Sequence, residues 1–390
     1  MNFTFRGKKE SELINRTPKK QNTSITTSTI SRIDLPLVVT MICLCMISVF
    51  MIYSATFLDQ NALIKGLWKK QFLFFLVGLL LLLIVLSINY RHFVNFSLLF
   101  YIIVLTLLLI VYFSGDTVYG SKRWLSFGPF RIQPSEIAKI SIILIYAFFL
   151  GTLERSHVLS WKIILYPTLF LIPLVILVYK QPDLGTSIVI LLIATIILLS
   201  IGVTRRLFLT FLLSGLGSIP LSWYFLLKPY QKQRILTLLS PESGTHATQW
   251  QSKQSMIAIG SGQFWGKGTL EGTQSSLQFL PEKHSDFIFS VICEEHGFVG
   301  AIIVLLLLSI LVQRCFIISR KASDEHGKIL ALGIAILFSL QIVFNIGMTI
   351  GIFPIVGITL PLISYGGSSL ITSIIAIGLV MNVDLRRRTF

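Results

Sequence analysis

The feature of this sequence that most constrains its fold is a series of long apolar blocks. Residues 71–90 and 184–204, for example, contain no charged side chain. About 20 residues of α-helix cross the hydrocarbon core of a bilayer. In lipid every backbone N–H and C=O group must be bonded within its own segment, which a helix achieves. Charged residues make up only 13% of the chain, about half the usual share in a soluble domain. The blocks therefore predict an all-α polytopic membrane protein.

About ten transmembrane helices are predicted. They are expected near 35–55, 71–89, 94–113, 135–153, 162–179, 185–202, 207–227, 297–316, 329–350 and 366–383. The connection between the seventh and eighth spans, 228–296, is much longer than the others and carries aromatic residues such as Trp250 and Trp265. Loops of this length are usually functional or disordered. The aromatic content favours a large ordered extracytoplasmic loop on the membrane surface.

The beginning of the chain has a different composition. Residues 1–32 are polar and rich in Lys, Ser and Thr, which is typical of segments that cannot bury enough apolar surface to fold. We predict a disordered basic cytoplasmic tail over 1–32 and a transmembrane domain over 33–390.

The distribution of Lys and Arg predicts the orientation. Both ends of the chain and one set of alternate connections are basic, including Arg91, Arg155, Arg205 and Arg320. Because cytoplasmic connections carry an excess of Lys and Arg, both termini are expected to be cytoplasmic. The net charge of +16 then indicates anionic membrane lipid as a partner, and not nucleic acid.

The opposite face is also basic, against this rule. Its connections carry Lys65, Lys69, Lys70, Lys122, Arg123, Arg131, Lys228, Lys232, Arg234, Lys253, Lys267 and Lys283. An anionic substrate would explain these cations. The alternative is that long outer loops simply tolerate positive charge.

Four polar motifs are predicted on this outer face. The first contains Lys122 and Arg123, followed by Gln133 and Ser135 and then by Glu136 and Lys139. Glu136 and Lys139 are three residues apart, so they share one face of a helix at the membrane boundary. An ionisable pair in a span indicates a functional site. The alternatives are a structural ion pair, or a lysine that reaches out to the headgroups.

The second and third motifs each contain an acidic residue. Asp183 lies in a tight turn between two spans, where it could instead cap the next helix. The third motif combines Arg234 with Glu282, His284 and Asp286. Asp286 precedes an apolar run, so it could simply start a helix. As a partly desolvated carboxylate it would have a raised pKa, which suits a general base.

The fourth motif runs Ser364-Tyr365-Gly366-Gly367-Ser368, just before the last span. The glycines permit unusual backbone or the close approach of a substrate. Ser368 could cap the span, whose backbone N–H groups would face an anion. The alternative is a packed hairpin between spans. No phosphate-binding loop, nucleophile elbow or zinc signature occurs, and no metal site is predicted.

Taken in order, these motifs resemble the SEDS family, named for shape, elongation, division and sporulation. They read Lys-Arg-Trp from 122, Gln-Pro-Ser-Glu-Ile-Ala-Lys from 133, Gln-Pro-Asp-Leu-Gly-Thr from 181, Phe-Leu-Pro-Glu-Lys-His-Ser-Asp-Phe-Ile-Phe from 279 and Ser-Tyr-Gly-Gly-Ser from 364. The resemblance covers about 33–390. Residues 230–234 and 272–275 resemble the RodA branch more than the division branch, FtsW. Ser285 departs from the family pattern, in which Thr is usual.

The resemblance implies a peptidoglycan glycosyltransferase of the bacterial inner membrane. Such an enzyme polymerises lipid II into glycan strands during cell elongation and rod-shape maintenance, with undecaprenyl pyrophosphate as the leaving group. The implied partners are lipid II, the lipid-linked glycan, a class B penicillin-binding transpeptidase and other elongation-complex proteins. The resemblance also allows Mg²⁺ or Mn²⁺, although no ligand cluster is visible, and it implies no organic cofactor. The alternatives are a lipid II flippase and a non-catalytic scaffold of the elongation complex.

Residue roles also follow from the resemblance. Asp286 is expected to be the essential acidic residue, acting as the general base. Glu136 and Lys139 are expected to be functionally important. The remaining motif residues are expected to bind substrate; they are Lys122, Arg123, Gln133, Ser135, Asp183, Arg234, Glu282, His284, Ser364, Tyr365, Gly366, Gly367 and Ser368.

Overall fold

The structure is a computed structural model of the chain. It describes residues 34–387, except for 60–61, 119–120, 128–129, 153–160, 203, 240–245 and 278. The tail predicted over 1–32 lies outside the described residues.

Helices dominate the described part of the chain. The first seven are α1 (Leu35–Thr56), α2 (Ala62–Lys65), α3 (Leu67–Ser87), α4 (Tyr90–Asn95), α5 (Ser97–Ser114), α6 (Pro134–Gly151) and α7 (Trp161–Lys180). The next five are α8 (Leu184–Ile201), α9 (Arg205–Leu221), α10 (Pro229–Leu239), α11 (His246–Ser261) and α12 (Thr273–Ser276), with a π-helical turn over Ser222–Leu226 between α9 and α10. The last three are α13 (Ile288–Lys321), α14 (Glu325–Thr349) and α15 (Gly367–Arg386).

The predicted all-α polytopic fold is confirmed. Within the described residues, nine helices are long and apolar enough to cross a membrane. The remaining predicted span, 162–179, coincides with the apolar helix α7, whose stretch Ile164–Lys180 is shorter than the others. Peripheral helices expose large apolar side chains, such as Leu80 on α3 and Ile102 on α5. An apolar exterior of this kind suits lipid as the surrounding solvent.

The deepest part of the core is formed by α6, α14 and α15, which bury most of their side chains. Each of these helices also buries polar residues, such as Ser141 on α6, Asn345 on α14 and Asn382 on α15. Their ends lie next to the predicted motifs, so the best-packed helices carry the candidate site.

Two connections contain regular structure. The predicted loop 114–134 forms a small antiparallel sheet of β1 (Asp116–Val118), β2 (Ser121–Phe127) and β3 (Phe130–Ile132), with strand order β1-β2-β3. In its register Leu125 pairs with Ile132. Only a connection, without strands, was predicted for 114–134. The predicted order of the loop 228–296 is confirmed over its described residues, which include α10, α11 and α12.

The helix at the eighth predicted span contains a break. The span was expected at 297–316, and α13 starts at Ile288 and is interrupted at Gly297, where φ is 61° and ψ is −155°. The part of α13 beyond the break therefore begins where the span was predicted. A Cβ at Gly297 would lie 2.3 Å from the backbone nitrogen of Gly266. Glycine is therefore required both by the backbone conformation and by the neighbouring chain. The break defines a half-helix, 288–296, that directly follows Asp286.

Candidate functional site

The first two motifs meet at the start of α8. The Arg123 Nε donates to the Gln181 carbonyl at 3.2 Å, and the guanidinium also donates to the Pro182 carbonyl. The same guanidinium lies 4.0 Å from the Asp183 carboxylate. The strand β2 thus places a cation against the turn between α7 and α8.

The Asp183 carboxylate accepts hydrogen bonds from more than one partner. Its side chain accepts from the Thr186 backbone N–H at 3.3 Å, so the helix-cap interpretation is confirmed. It also accepts from the Ser135 hydroxyl at 3.3 Å and from the Gln133 amide at 3.4 Å. Asp183 is buried, and these bonds tie the start of α6 to the start of α8.

Glu136 and Lys139 form an ion pair within α6. Their charged atoms are 2.7 Å apart, and both residues are buried. A lysine that reaches the headgroups would be exposed, so that alternative is wrong. Breaking a buried pair leaves an uncompensated charge and costs about 3–5 kcal/mol. Within the described residues, neither side chain bonds to another predicted site residue.

The fourth motif holds the third in place. The Ser364 hydroxyl donates to the Ser285 carbonyl at 2.7 Å and accepts from the Leu360 N–H at 2.8 Å. The Tyr365 N–H donates to the His284 carbonyl at 2.9 Å, and the two rings are in edge contact at 5.5 Å. The turn before α15 therefore fixes the two residues that precede Asp286.

Ser368 has a different role from the one predicted. The N-cap of α15 is Gly366, and no side chain caps this helix. The Ser368 hydroxyl instead accepts from the Gln133 N–H at 3.0 Å and donates to the Arg131 carbonyl at 3.1 Å. The predicted cap is wrong because the β3–α6 connection occupies the hydroxyl. These bonds link the fourth motif to the first.

The two glycines of the fourth motif face other parts of the bundle. A Cβ at Gly367 would lie 2.7 Å from the Phe74 ring, so Gly367 allows α15 to pack closely against α3. The Gly366 N–H donates to the Gln71 side chain at 3.3 Å. The contact with Phe74 gives Gly367 a packing role, whereas a Cβ at Gly366 would meet, among the described residues, only Ser369, at 3.6 Å.

Asp286 is not a helix cap. The N-cap of α13 is Phe287, with no side-chain capping bond. Asp286 is half-buried, and its backbone N–H donates to the Glu282 carbonyl at 3.1 Å. Its Oδ2 lies beside Gly357, where a Cβ would be 3.4 Å away. The carboxylate therefore faces the segment that precedes the last span.

The surroundings of Asp286 suit proton transfer. Burial, assisted by the negative charge of Glu282, raises the pKa of the Asp286 carboxyl to about 6, against the opposing effect of Arg123 and Arg234. Burial also lowers the pKa of the His284 imidazole. A general base works best when its pKa is near the working pH. Asp286 meets this condition better than an exposed carboxylate would.

A cavity of about 440 Å³ lies next to this carboxylate. Arg123 and Arg234 contribute cations to its lining, while Ile188, Phe344 and Phe353 contribute apolar surface. Val356 also lines it, and Gly357 follows directly with Asp286 at its side. Two guanidinium groups beside an apolar wall can hold an anionic head group that carries a hydrocarbon tail.

Arg234 is held against the cavity wall. Its Nη1 donates to the Ile355 carbonyl at 2.7 Å, and its guanidinium lies 6.0 Å from the Tyr230 ring. Burial lowers the pKa of this guanidinium. A cation that has lost part of its hydration gains more from binding an anion than a fully hydrated one does.

Two further predicted residues, Glu282 and His284, lie close to Asp286. Glu282 accepts from the Ser285 hydroxyl at 3.1 Å and lies 3.9 Å from the His284 Nε2. Lys122 is exposed and donates to the Phe113 carbonyl at 3.5 Å, and the described contacts do not bring it to Asp286.

Mg²⁺ is usually held by one or two carboxylates together with substrate phosphates. In the part of the chain that the structure describes, no group of three or more His, Cys, Asp or Glu side chains could hold an ion. The expectation of Mg²⁺ or Mn²⁺ stays a prediction, and Arg123 and Arg234 are the guanidinium cations that line the cavity.

Two buried polar residues near the site escaped the sequence analysis. The Gln71 amide donates to the Ser364 carbonyl at 3.2 Å and to the Ser48 hydroxyl at 3.0 Å. The Ser48 hydroxyl donates to the Ile363 carbonyl at 2.7 Å. The available signal was a single polar residue inside an apolar block, where each such residue needs a partner.

Comparison with known proteins identifies the family. The family model described as "Cell cycle protein", which covers FtsW, RodA and SpoVE, matches residues 35–389. The chain belongs to this family. Among curated relatives, the peptidoglycan glycosyltransferase MrdB of Escherichia coli is 37% identical over 91% of this chain and 94% of that protein. The peptidoglycan glycosyltransferase RodA of Treponema pallidum is 33% identical over 92% of this chain and 99% of that protein.

Solved structures of the FtsW/RodA/SpoVE family share the fold. The rod shape determining protein RodA of Thermus thermophilus matches with a TM-score of 0.68 at 28% identity, over 91% of this chain and 98% of that one. A chain from a structure described as the coordination of polymerization and crosslinking by a peptidoglycan synthase complex matches with a TM-score of 0.77 at 28% identity. That match covers 92% of this chain and 99% of that one. The predicted resemblance to the SEDS family is confirmed.

Proposed function

We propose that this chain polymerises lipid II into glycan strands, with Asp286 as the general base and undecaprenyl pyrophosphate as the leaving group. As a member of a family whose similar relatives are peptidoglycan glycosyltransferases, the chain is an enzyme of this class. The observation that carries the mechanism is that Arg123 and Arg234 line one cavity and act electrostatically on Asp286, which lies beside Gly357 at the edge of that lining.

The reaction needs a base and an anion site. The ionised Asp286 carboxylate removes the proton of an acceptor sugar hydroxyl, whose oxygen attacks the anomeric carbon of the donor. The bond from that carbon to the pyrophosphate oxygen breaks, and both electrons leave with the pyrophosphate. Direct displacement inverts the anomeric centre, as an α-linked donor and a β-linked product require.

The arginines stabilise the departing charge. Positive groups aimed at the place where negative charge develops are often the largest contribution to catalysis. Arg123 and Arg234 both line the cavity, and their backbone partners fix the two guanidinium groups before the substrate binds. The apolar lining at Ile188 and Phe344 would accommodate the first isoprene units of the lipid.

The other predicted site residues support this centre. Gln133, Ser135 and Asp183 tie α6 to α8 beneath Arg123. The buried pair of Glu136 and Lys139 lies one turn further along α6. These residues would keep Arg123 in place, which gives them functional importance without direct contact to the reacting atoms.

The cellular setting follows from the same proposal. The chain is a multi-pass membrane protein, and we place it in the bacterial inner membrane with both termini in the cytoplasm and the cavity on the outer side. Cross-linking of the new strands requires a transpeptidase, and a class B penicillin-binding protein suits this role. The similar chain from a peptidoglycan synthase complex supports such a partnership.

Polymerisation by purified protein tests the proposal. We expect labelled lipid II to yield glycan polymer on a gel, and Asp286→Asn to slow polymerisation by at least ~10²-fold, the usual contribution of a general base. Asp116→Asn is the matched control, because Asp116 is an exposed acid on β1, and it should keep full activity.

Three results would contradict the proposal. Full activity in Asp286→Asn would exclude Asp286 as the base. Transfer of lipid II across vesicle membranes without polymer would favour the flippase, and the absence of both activities with the transpeptidase present would favour the scaffold.

A further inference from the structure

Asn345 lies at the centre of the bundle and bonds to the site. It belongs to α14 and is fully buried, with 0% exposure. Its amide nitrogen donates to the Asp286 carbonyl at 3.0 Å and to the Ile358 carbonyl at 2.7 Å. One side chain therefore joins two segments that are far apart in sequence.

The second of these segments, 353–358, contacts Arg234, the start of α8 and Asp286. The Ile355 carbonyl accepts from Arg234. Val356 packs so closely on Gly185 that a Cβ there would be 2.8 Å from its carbonyl oxygen. Gly357, with φ of +71°, lies beside the Asp286 Oδ2. The segment thus sets the spacing between the proposed base and one proposed cation.

The chemistry of Asn345 fits a role beyond packing. Its Oδ1 is buried without a hydrogen-bond partner among the described residues, which is unfavourable. A leucine, which has the same number of side-chain heavy atoms, would avoid that unpaired oxygen. The two donors on one nitrogen explain why an amide occupies this position, because each donor satisfies a different carbonyl.

We propose that Asn345 is a positioning residue for glycosyl transfer, which holds the Asp286 backbone against the segment 353–358 and so fixes the base relative to Arg234. This inference rests on the proposed function, because it assumes that Asp286 is the base. Misplacing a reacting group by about 1 Å costs up to ~10²-fold in rate. The effect should appear in kcat, since the groups that bind the substrate remain.

The test compares full-length variants in polymerisation of labelled lipid II. Asn345→Asp keeps the side-chain shape but loses both N–H donors, and Asn345→Leu removes the polar group. Gln341→Leu is the matched control, because Gln341 is another buried amide one helical turn away on α14 whose Oε1 has no partner among the described residues. We expect kcat to fall by about 10- to 100-fold in both Asn345 variants with KM within about twofold, and Gln341→Leu to remain near wild type.

The pH profile adds a second readout. The introduced carboxyl of Asn345→Asp donates one hydrogen bond while protonated and none when ionised. The loss of kcat in Asn345→Asp relative to wild type should therefore grow as pH rises. The charged and titratable groups facing Asp286 are Glu282, Arg123, Arg234 and Asp183, and all of them remain in this variant.

Each outcome decides the inference. Unchanged kcat in Asn345→Asp, or an equal loss in Gln341→Leu, would overturn it. Failure of the shape-matched Asn345→Asp to fold, judged by thermal unfolding and gel filtration, would also overturn it, because Asn345 would then belong to the fold alone. Asp286→Asn, assayed in parallel, separates the two claims: if that variant is active the proposed base fails, and if only the Asn345 variants are active the positioning role fails.

Discussion

The role of Asp286 could be predicted only in part from its place in the sequence. Its place ahead of an apolar run left two interpretations open, a helix cap and a partly desolvated base. The structure excludes the cap, because Phe287 takes that position without a side-chain bond. The neighbours that tune its charge, Arg123 and Arg234, lie far away in the sequence, and no local pattern indicates such contacts.

The ionisation of Asp286 predicts the pH dependence of polymerisation. A base acts only when deprotonated, and the pKa of this carboxyl is about 6. The rate should therefore be lost as pH falls through about 6 and reach a plateau above pH 7. Because the negative charge of Glu282 raises this pKa, Glu282→Gln should move the acid limb to lower pH. The measurement is the initial rate of polymerisation at constant ionic strength.

Glu271→Gln is the control for this shift. Glu271 is an exposed acid in the same loop and does not contribute to the pKa of Asp286, so its removal should leave the acid limb in place. A limb that stays unchanged in Glu282→Gln, or that moves to higher pH, would mean that another group controls the rate.

Isolated polar residues inside spans were the hardest to interpret from sequence. Gln71 and Asn345 each lie inside an apolar block, while their partners Ser364 and Asp286 are 293 and 59 residues away. Such residues indicate that a polar partner exists. They do not indicate which one, because the packing of the helices decides it.

Among the elements, the half-helix 288–296 lies just ahead of the predicted span 297–316 and carries two buried acids, Glu294 and Glu295. Glu294 accepts from Lys267 at 2.8 Å and from the Gln274 N–H at 2.9 Å. Glu295 accepts from the Ser54 hydroxyl at 2.6 Å. Tertiary partners thus allow two buried acids in a helix that begins two residues after Asp286.

The loop packed against this half-helix requires glycine at position 262. A Cβ at Gly262 would lie 1.9 Å from the Cys293 carbonyl oxygen, whereas a Cβ at Gly260 would meet nothing within 4 Å. Overpacking of this kind costs about 1–3 kcal/mol, so Gly262→Ala should lower the melting temperature and reduce polymerisation. Gly260 lies in the helix α11, where alanine is favoured by about 0.5–1 kcal/mol, so Gly260→Ala should be neutral or stabilising. Equal thermal unfolding of the two variants would mean that the loop is not anchored by this contact.

For the whole molecule, sequence predicted the architecture well and the assembly of the site less well. Hydropathy placed the spans because lipid imposes one solution on the backbone. The motifs were predicted to share one face, and their bonds join them through Asp183, Ser368 and Ser364. The structure was needed to show which motif residues contact each other, and to show the small sheet that carries Arg123. Short strands in a loop bury too little surface to leave a clear pattern.

The distribution of charge predicts the orientation of the whole protein in the membrane. Both faces are basic, but the cations at the cavity have a use in binding an anion, so the other face should be cytoplasmic. Lys122 and Lys321 are exposed and lie on opposite predicted sides. In intact spheroplasts, a membrane-impermeant maleimide should label Lys122→Cys and should label Lys321→Cys only after lysis. The native protein is the background control, because three of its cysteines are buried and Cys43 is half-buried. Labelling of Lys321→Cys alone would place Asp286 and its cavity in the cytoplasm, where no glycan strand could be joined to the wall outside.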